Sequence, residues 1–139
     1  MSANAEVLFE NPTFNNGRPV EILSWSHTYS PRVEPVREHP QRLTFTRYLD
    51  SLSIELTRAA WSGQAFGKVI ITTYRDSRTP ILEVVLQGVS IGNHSISGGA
   101  GDVPIETVDL DYAHLTYHYL DPHQGRLSAT APTSALQEA

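Results

Sequence analysis

The feature that most constrains what this chain can fold into is a run of alternating residues from Thr107 to Leu120. Val108, Leu110 and Tyr112 place apolar side chains on every second position, with Asp109 and Asp111 between them. A period of two marks a strand with one dry face and one wet face. At Ala113–His114 the phase reverses, and Leu115, Tyr117 and Tyr119 carry the apolar alternation on the other parity. A strand that changes face in mid-course either bulges or crosses from one packing environment to another. Such a run is a building element, and it contains no catalytic motif.

The rest of the chain is also read mainly as strands. Val7–Phe9 is predicted as a short first strand. The turn signal Asn15-Asn16-Gly17 leads into Val20–Tyr29, rich in β-formers. Ser30–Gln41 holds three prolines and several charges and reads as a long exposed loop. Leu43–Tyr48, Lys68–Tyr74, Ile81–Leu86 and Val89–Ile96 are further strands, and Gly88 between the last two signals a bulge or bend. Asp76–Pro80 is a turn, and Ser97–Asp102 a flexible glycine-rich loop.

One helix is predicted, over residues 51–62. Asp50, Ser51 or Ser53 can cap it and Gly63 can end it. Leu52, Leu56, Ala59, Ala60 and Gly63 share one face, with Glu55 and Arg58 on the outer side. Seven or eight short strands with one helix point to a mainly β fold, a closed barrel or a two-sheet sandwich. The length of 139 residues suits one domain spanning 1–139, with Met1–Ser2 and a tail from about Ser128 to Ala139 expected to fray.

Composition narrows the function. The net charge is -5, and the ten Lys and Arg residues, of which only Lys68 is lysine, do not cluster. A nucleic-acid partner needs a basic face, so none is expected. The chain has no cysteine, which excludes disulfides and thiolate metal sites. No run approaches the roughly 20 apolar residues of a membrane span. The first residues have neither the basic nor the apolar region of a Sec signal. A soluble chain made in the cytoplasm is expected.

The candidate chemical sites have plainer readings. His114 and His118 lie four apart, with His123, Asp109, Asp111 and Asp121 nearby, yet strand-surface or interface residues account for them better than a metal site. Ser26 and His27 are neighbours on a strand and point apart, which is wrong for a nucleophile and its base. The loop Gly98–Asp102 lacks the Lys-Ser/Thr of a phosphate loop, and no helix follows it. Asp109 and Asp111 share a face and read as polar surface. No enzyme, cofactor or metal is expected.

Several short segments, in order, resemble the haemolysin-coregulated protein (Hcp) family of type VI secretion. They are Glu21-Ile22-Leu23-Ser24-Trp25-Ser26; His39-Pro40 with Leu43-Thr44-Phe45-Thr46-Arg47 and Asp50; Ser53, Leu56, Ala59 and Gly63; Pro104, Glu106, Val108, Leu110 and Tyr112; and the turn Asp121–Gly125. Arg47 stands where the family usually has Lys, and Ile54 where it usually has Pro. The resemblance covers most of Val20–Arg126. It implies a β-barrel of two sheets with one flanking helix, and a hexameric ring that stacks into a tube. That tube would meet sheath, spike and baseplate proteins, carry small effectors in its lumen, and leave the cell without a signal peptide and without inserting in a membrane.

On that reading the ring-interface or stacking candidates are Arg32, Glu34, Arg37, Arg58, Arg75, Asp76, Arg78, Asp102, Asp109 and Asp111. The rival readings are a tail-tube protein of a phage-like contractile particle, which would share the fold, and a monomeric β-barrel ligand binder, in which His114 or His118 would serve an activity.

Overall fold

Strand β6, Pro80–Ser97, is the axis about which the other elements are arranged. The computed structural model describes residues 4–27, 42–76 and 79–130. Around β6 lie β1 (Ala5–Phe9), β2 (Val20–Glu21), β3 (Ser24–His27), β4 (Arg42–Tyr48), α1 (Leu52–Ser62), β5 (Ala65–Tyr74), β7 (Ile105–Asp111), β8 (His114–Asp121) and β9 (Gly125–Thr130). All pairings are antiparallel. The order is β2-β1-β5-β6-β7-β4-β3, with β8 also on β6 and β9 on β8.

β7 and β8 together form the alternating run, and both lie along the same edge of β6. Residues 90–97 of β6 pair with β7, and residues 82–87 pair with β8. The handover falls where the apolar phase reverses. Tyr112 and Ala113 leave the ladder, and Ala113 N–H donates to the Gln87 carbonyl at 2.9 Å. Opposite them Gly88 takes φ +66°, and a Cβ there would lie 2.9 Å from the Ala113 Cβ. A second irregularity sits between Ile91 and Asn93, where Gly92 makes room for the Asp111 carboxylate. Paired bulges of this kind let one strand bend and serve two sheets. The run predicted as one strand, Thr107–Leu120, is therefore two strands joined at a corner.

The predicted strand Val20–Tyr29 is likewise broken, and the break closes the barrel. β2 pairs with β1 in one leaf, and β3 pairs with β4 in the other. Only Ile22 and Leu23 separate them. Ile22 N–H donates to the Ala5 carbonyl (3.2 Å) and Leu23 N–H to the Thr46 carbonyl (2.7 Å), one bond to each leaf. Both ends of the strand order thus meet in one short segment, leaving no long open edge there. Trp25 Nε1 adds a cross-seam bond to Thr73 Oγ1 at 2.8 Å. Tyr29 lies outside the described residues, as do Met1 and Ser2.

The interior is filled by the dry faces of both leaves, including Val7, Phe9, Leu43, Phe45, Val69, Ile71, Val84, Leu86, Val108, Leu110 and Leu115. Phe9, Phe14 and Phe66 meet with ring centroids 4.8–5.1 Å apart. The 3-10 turn at Asn15–Gly17 has positive φ at all three residues, the conformation that Asn and Gly tolerate best. Towards the C-terminus, β9 extends to Thr130, beyond the Ser128 at which a frayed tail was expected; Ser128 and Thr130 pair with His118 and Thr116. That short polar stretch lacks the apolar alternation by which a strand is recognised, because every residue of β9 is exposed.

Helix α1 buries Leu52, Ser53, Leu56 and Ala59. Gly63 closes it in the left-handed region at φ +69°, its N–H bonded to the Ala59 and Ala60 carbonyls. Ala59 lies within the apolar core cluster. Ala59→Glu is expected to cost about 3 kcal/mol or more in chemical denaturation. Arg58→Glu on the exposed face should stay within about 0.5 kcal/mol.

Candidate functional site

Two residues break the dry pattern of their strands. Arg47 occupies the inward parity of Leu43 and Phe45, and Glu106 that of Val108 and Leu110. The register places them directly opposite each other across β4 and β7. Both are buried, at 4% and 0% exposure. Arg47 Nη1 donates to Glu106 Oε1 at 2.7 Å and to Ser53 Oγ at 3.2 Å, and Nη2 donates to Asp50 Oδ1 at 2.7 Å. Ser53 Oγ donates to Glu106 Oε1 at 2.8 Å, and His94 Nε2 lies 2.6 Å from Glu106 Oε2. Arg47 Nε is the one buried side-chain nitrogen or oxygen without a hydrogen-bond partner among the described residues.

This cluster docks the helix. Asp50 Oδ1 accepts from Leu52 N–H at 2.9 Å, and Ser53 Oγ accepts from Asp50 N–H at 3.1 Å, a reciprocal cap on the first turn. Burial pushes the Asp50 carboxyl up. The hydrogen bonds from Arg47 and Leu52 and the Arg47 charge outweigh it and hold the carboxyl below its ordinary value. Leu49 N–H donates to the Pro104 carbonyl at 3.0 Å. Arg47, Asp50, Ser53, His94, Pro104 and Glu106, scattered over the sequence, thus form one joint between β4, α1, β6 and β7.

A second polar cluster sits at the barrel seam. His27 Nδ1 lies 2.5 Å from the Tyr117 hydroxyl and Nε2 2.6 Å from the Tyr112 hydroxyl. Burial lowers the His27 pKa and raises that of Tyr117. A neutral imidazole offers one donor and one acceptor, matching two hydroxyls. Ser26 is exposed while His27 faces inward, so the two point apart.

The expected surface residues divide into distinct settings. Asp109 and Asp111 share a face, but both have partners within the chain. Arg42 Nε is 2.7 Å from Asp111 Oδ1, Arg42 Nη1 is 3.8 Å from Asp109 Oδ2, and Thr44 Oγ1 donates to Asp109 Oδ1 at 2.6 Å. Arg58, Arg75, Asp76 and Asp102 are exposed, on α1, on the β5–β6 turn and on the β6–β7 loop. Asp76 Oδ1 accepts from Thr79 N–H within its turn. Arg32, Glu34, Arg37 and Arg78 lie outside the described residues. His114 is exposed, and His118 Nδ1 lies 2.6 Å from Ser128 Oγ. Among the described residues no three His, Asp or Glu side chains converge as metal ligands, and no helix is long and apolar enough to cross a membrane.

Comparison with known proteins decides which fold family this barrel belongs to. A family model described as "Type VI secretion system effector, Hcp" matches residues 16–119. The chain belongs to the Hcp family. Its structure is similar to Hcp1 from Salmonella typhimurium (TM-score 0.76, 19% identity, 97% of each chain covered). It is also similar to a type VI secretion system effector from Yersinia pestis (0.72, 18%, 91% of this chain and 98% of that one) and to the secreted protein Hcp3 from Pseudomonas aeruginosa (0.64, 21%, 91% and 97%). No curated protein matches the chain significantly. Hcp proteins are tube subunits of the type VI apparatus, and the family forms hexameric rings. The segments carrying the resemblance now have structural duties: Ile22–Trp25 at the seam, Arg47 to Glu106 in the helix joint, and Asp121–Gly125 in the β8–β9 turn, where Asp121 Oδ1 accepts from the N–H groups of His123 and Gln124.

Removing one partner of a buried pair strands the other. Arg47→Met is expected to cost about 3–5 kcal/mol in urea unfolding, and Arg47→Lys, which keeps the charge, clearly less. The His27 cluster adds a pH dependence. A histidine whose folded pKa is depressed contributes stability that is complete above its unfolded value of 6.5 and is lost as pH falls through the folded value. Unfolding free energies should therefore decline from pH 7.5 to 5, and His27→Gln should flatten part of that slope.

Proposed function

We propose that this Hcp chain is the repeating unit of a secretion tube: copies close a hexameric ring and rings stack into an inner tube for effector delivery. The tube is exported from the cell, with sheath, spike and baseplate proteins as its partners and small effectors in its lumen. The observation that carries this reading is the family match over residues 16–119. The surface is consistent with it. α1 turns Ile54 and Trp61 outward, and Trp61 is 82% exposed. Tyr119 and Leu127 stand opposite each other on β8 and β9 and are also exposed. Large uncovered apolar side chains on separate elements suit a subunit with several neighbours.

The role is structural and involves no catalysis. The barrel interior is filled by its own side chains, which disfavours an internal ligand site. Arg58, Arg75, Asp76 and Asp102 are the described exposed charges proposed for ring contacts or stacking, with Arg32, Glu34, Arg37 and Arg78 alongside them. Asp109 and Asp111 would contribute through a face already neutralised in part by Arg42.

Native mass spectrometry and negative-stain microscopy of the purified protein test the reading. The expected result is a ring of six copies. A strict monomer at high concentration would overturn it. Trp61→Arg is expected to weaken ring assembly at least about tenfold while leaving monomer stability within about 0.5 kcal/mol, because the side chain is exposed in the isolated subunit.

A further inference from the structure

Arg47 leaves one of its donors unused. Its Nη1 and Nη2 groups meet Glu106, Ser53 and Asp50, but its Nε–H has no acceptor among the described residues. A buried donor without an acceptor costs free energy, so an acceptor brought to it is favoured. Arg47 is also part of the wall of a cavity of about 390 Å³, between the Ile22–Leu23 seam and the start of α1.

The rest of the wall says what kind of acceptor fits. Glu21 and Asp50 place two carboxyl groups in it, against one basic residue, Arg47 itself. Asp50 keeps 59% of its side chain exposed while it bonds Arg47. Glu21 stands opposite Glu6 on the neighbouring strand, and like charges so placed repel, which favours a cation at that edge. Arg47 is meanwhile matched by Glu106 at 2.7 Å. A carboxylate or phosphate brought to Arg47 would therefore meet the carboxylates of Glu106, Asp50 and Glu21, whereas a neutral carbonyl oxygen would not be repelled. Leu23 and Tyr48, 46% and 56% exposed, offer apolar surface in the same wall. A concave site of this kind, apolar with a few convergent polar groups, suits a small ligand.

We propose that this cavity binds a primary ammonium group joined through one carbon to a neutral carbonyl and an apolar side chain, the chemistry shared by an amino-acid amide and the first residue of a peptide. The ammonium sits between Glu21 and Asp50. The carbonyl oxygen accepts from Arg47 Nε–H, and the apolar side chain lies against Leu23 and Tyr48. The other Arg47 nitrogens are committed within the joint, so the guanidinium offers one donor and not the two-pronged grip that suits a carboxylate. A free amino acid is disfavoured by its carboxylate, and an N-acylated one by the loss of its positive charge. The site does not depend on the tube reading.

Isothermal titration of the full-length protein tests it, at about pH 6.8, where an amino group of this type is mostly protonated. L-leucinamide carries all three features. L-leucine exchanges the neutral carbonyl for a carboxylate, N-acetyl-L-leucinamide removes the ammonium, and Leu-Ala-Ala amide extends the chain. Leucinamide is expected to bind at least about tenfold more tightly than leucine or N-acetyl-leucinamide. Tighter binding of the tripeptide supports the site as one for peptide amino termini, and the reverse order supports it as one for small amides. Glu21→Gln, at an exposed position, should weaken leucinamide about tenfold with an unchanged circular dichroism spectrum. Leu23→Ala is a second exposed variant and should weaken it several-fold. Equal affinity for leucinamide and its N-acetyl form, unchanged affinity in Glu21→Gln, or no binding of leucinamide or the tripeptide at millimolar concentration would overturn the proposal. None of these outcomes bears on whether rings form.

Discussion

Everything else in this fold depends on the bend shared by β6 and its partner run at Gly88 and Tyr112–Ala113. A flat hairpin of this length would have buried one face along a single sheet. Because Gly88 adopts a positive φ and Ala113 packs against it, the hairpin turns, and the apolar phase turns with it. One half of β6 then builds the leaf with β5 and β8, and the other half contributes to the leaf with β7 and β4. The two dry faces meet as one core. A side chain at Gly88 would meet both a backbone conformation that L-residues disfavour and an occupied space.

The buried joint around Arg47 answers a different need. Burying an ion pair is a weak source of stability, since desolvation offsets most of the attraction. Its geometry nevertheless ties four elements together at fixed positions. Arg47 spans from Glu106 on β7 to Asp50 at the start of α1, and Ser53 binds both. The helix is held by its first turn, and its small-residue face lies on the barrel while Trp61 points away. An apolar joint of the same volume could slide, whereas directed hydrogen bonds cannot do so without leaving buried groups unpaired. The joint therefore sets where the outer surface of α1 is presented.

Much of this was legible along the chain. The period-two pattern, the glycine at position 88 and the phase reversal mark strands and a corner. The small-residue stripe and Gly63 mark the helix and its end. The joint also had a signal that motif-spacing arguments pass over: one basic and one acidic residue, Arg47 and Glu106, each on the dry parity of its strand. β9 had no such signal, because all of its residues are exposed and its pairing with β8 adds to the backbone ladder only polar surface contacts such as His118–Ser128 and Thr116–Thr130, which leave no apolar period. The break in Val20–His27 was also hidden, since β-propensity does not say which neighbour a strand pairs with.

By itself the sequence determined the class of fold, the dry parity of Val108, Leu110 and Leu115 (though not of Tyr119, which is exposed) and the family, because these follow from local periodicity and from short ordered motifs. Only the tertiary structure decided which strands adjoin, how Ile22 and Leu23 close the barrel, and that Asp109 and Asp111 are paired with Arg42 within the chain. Those outcomes depend on contacts between residues far apart in sequence. Such contacts are selected by the joint packing of two leaves, a quantity that no single segment carries.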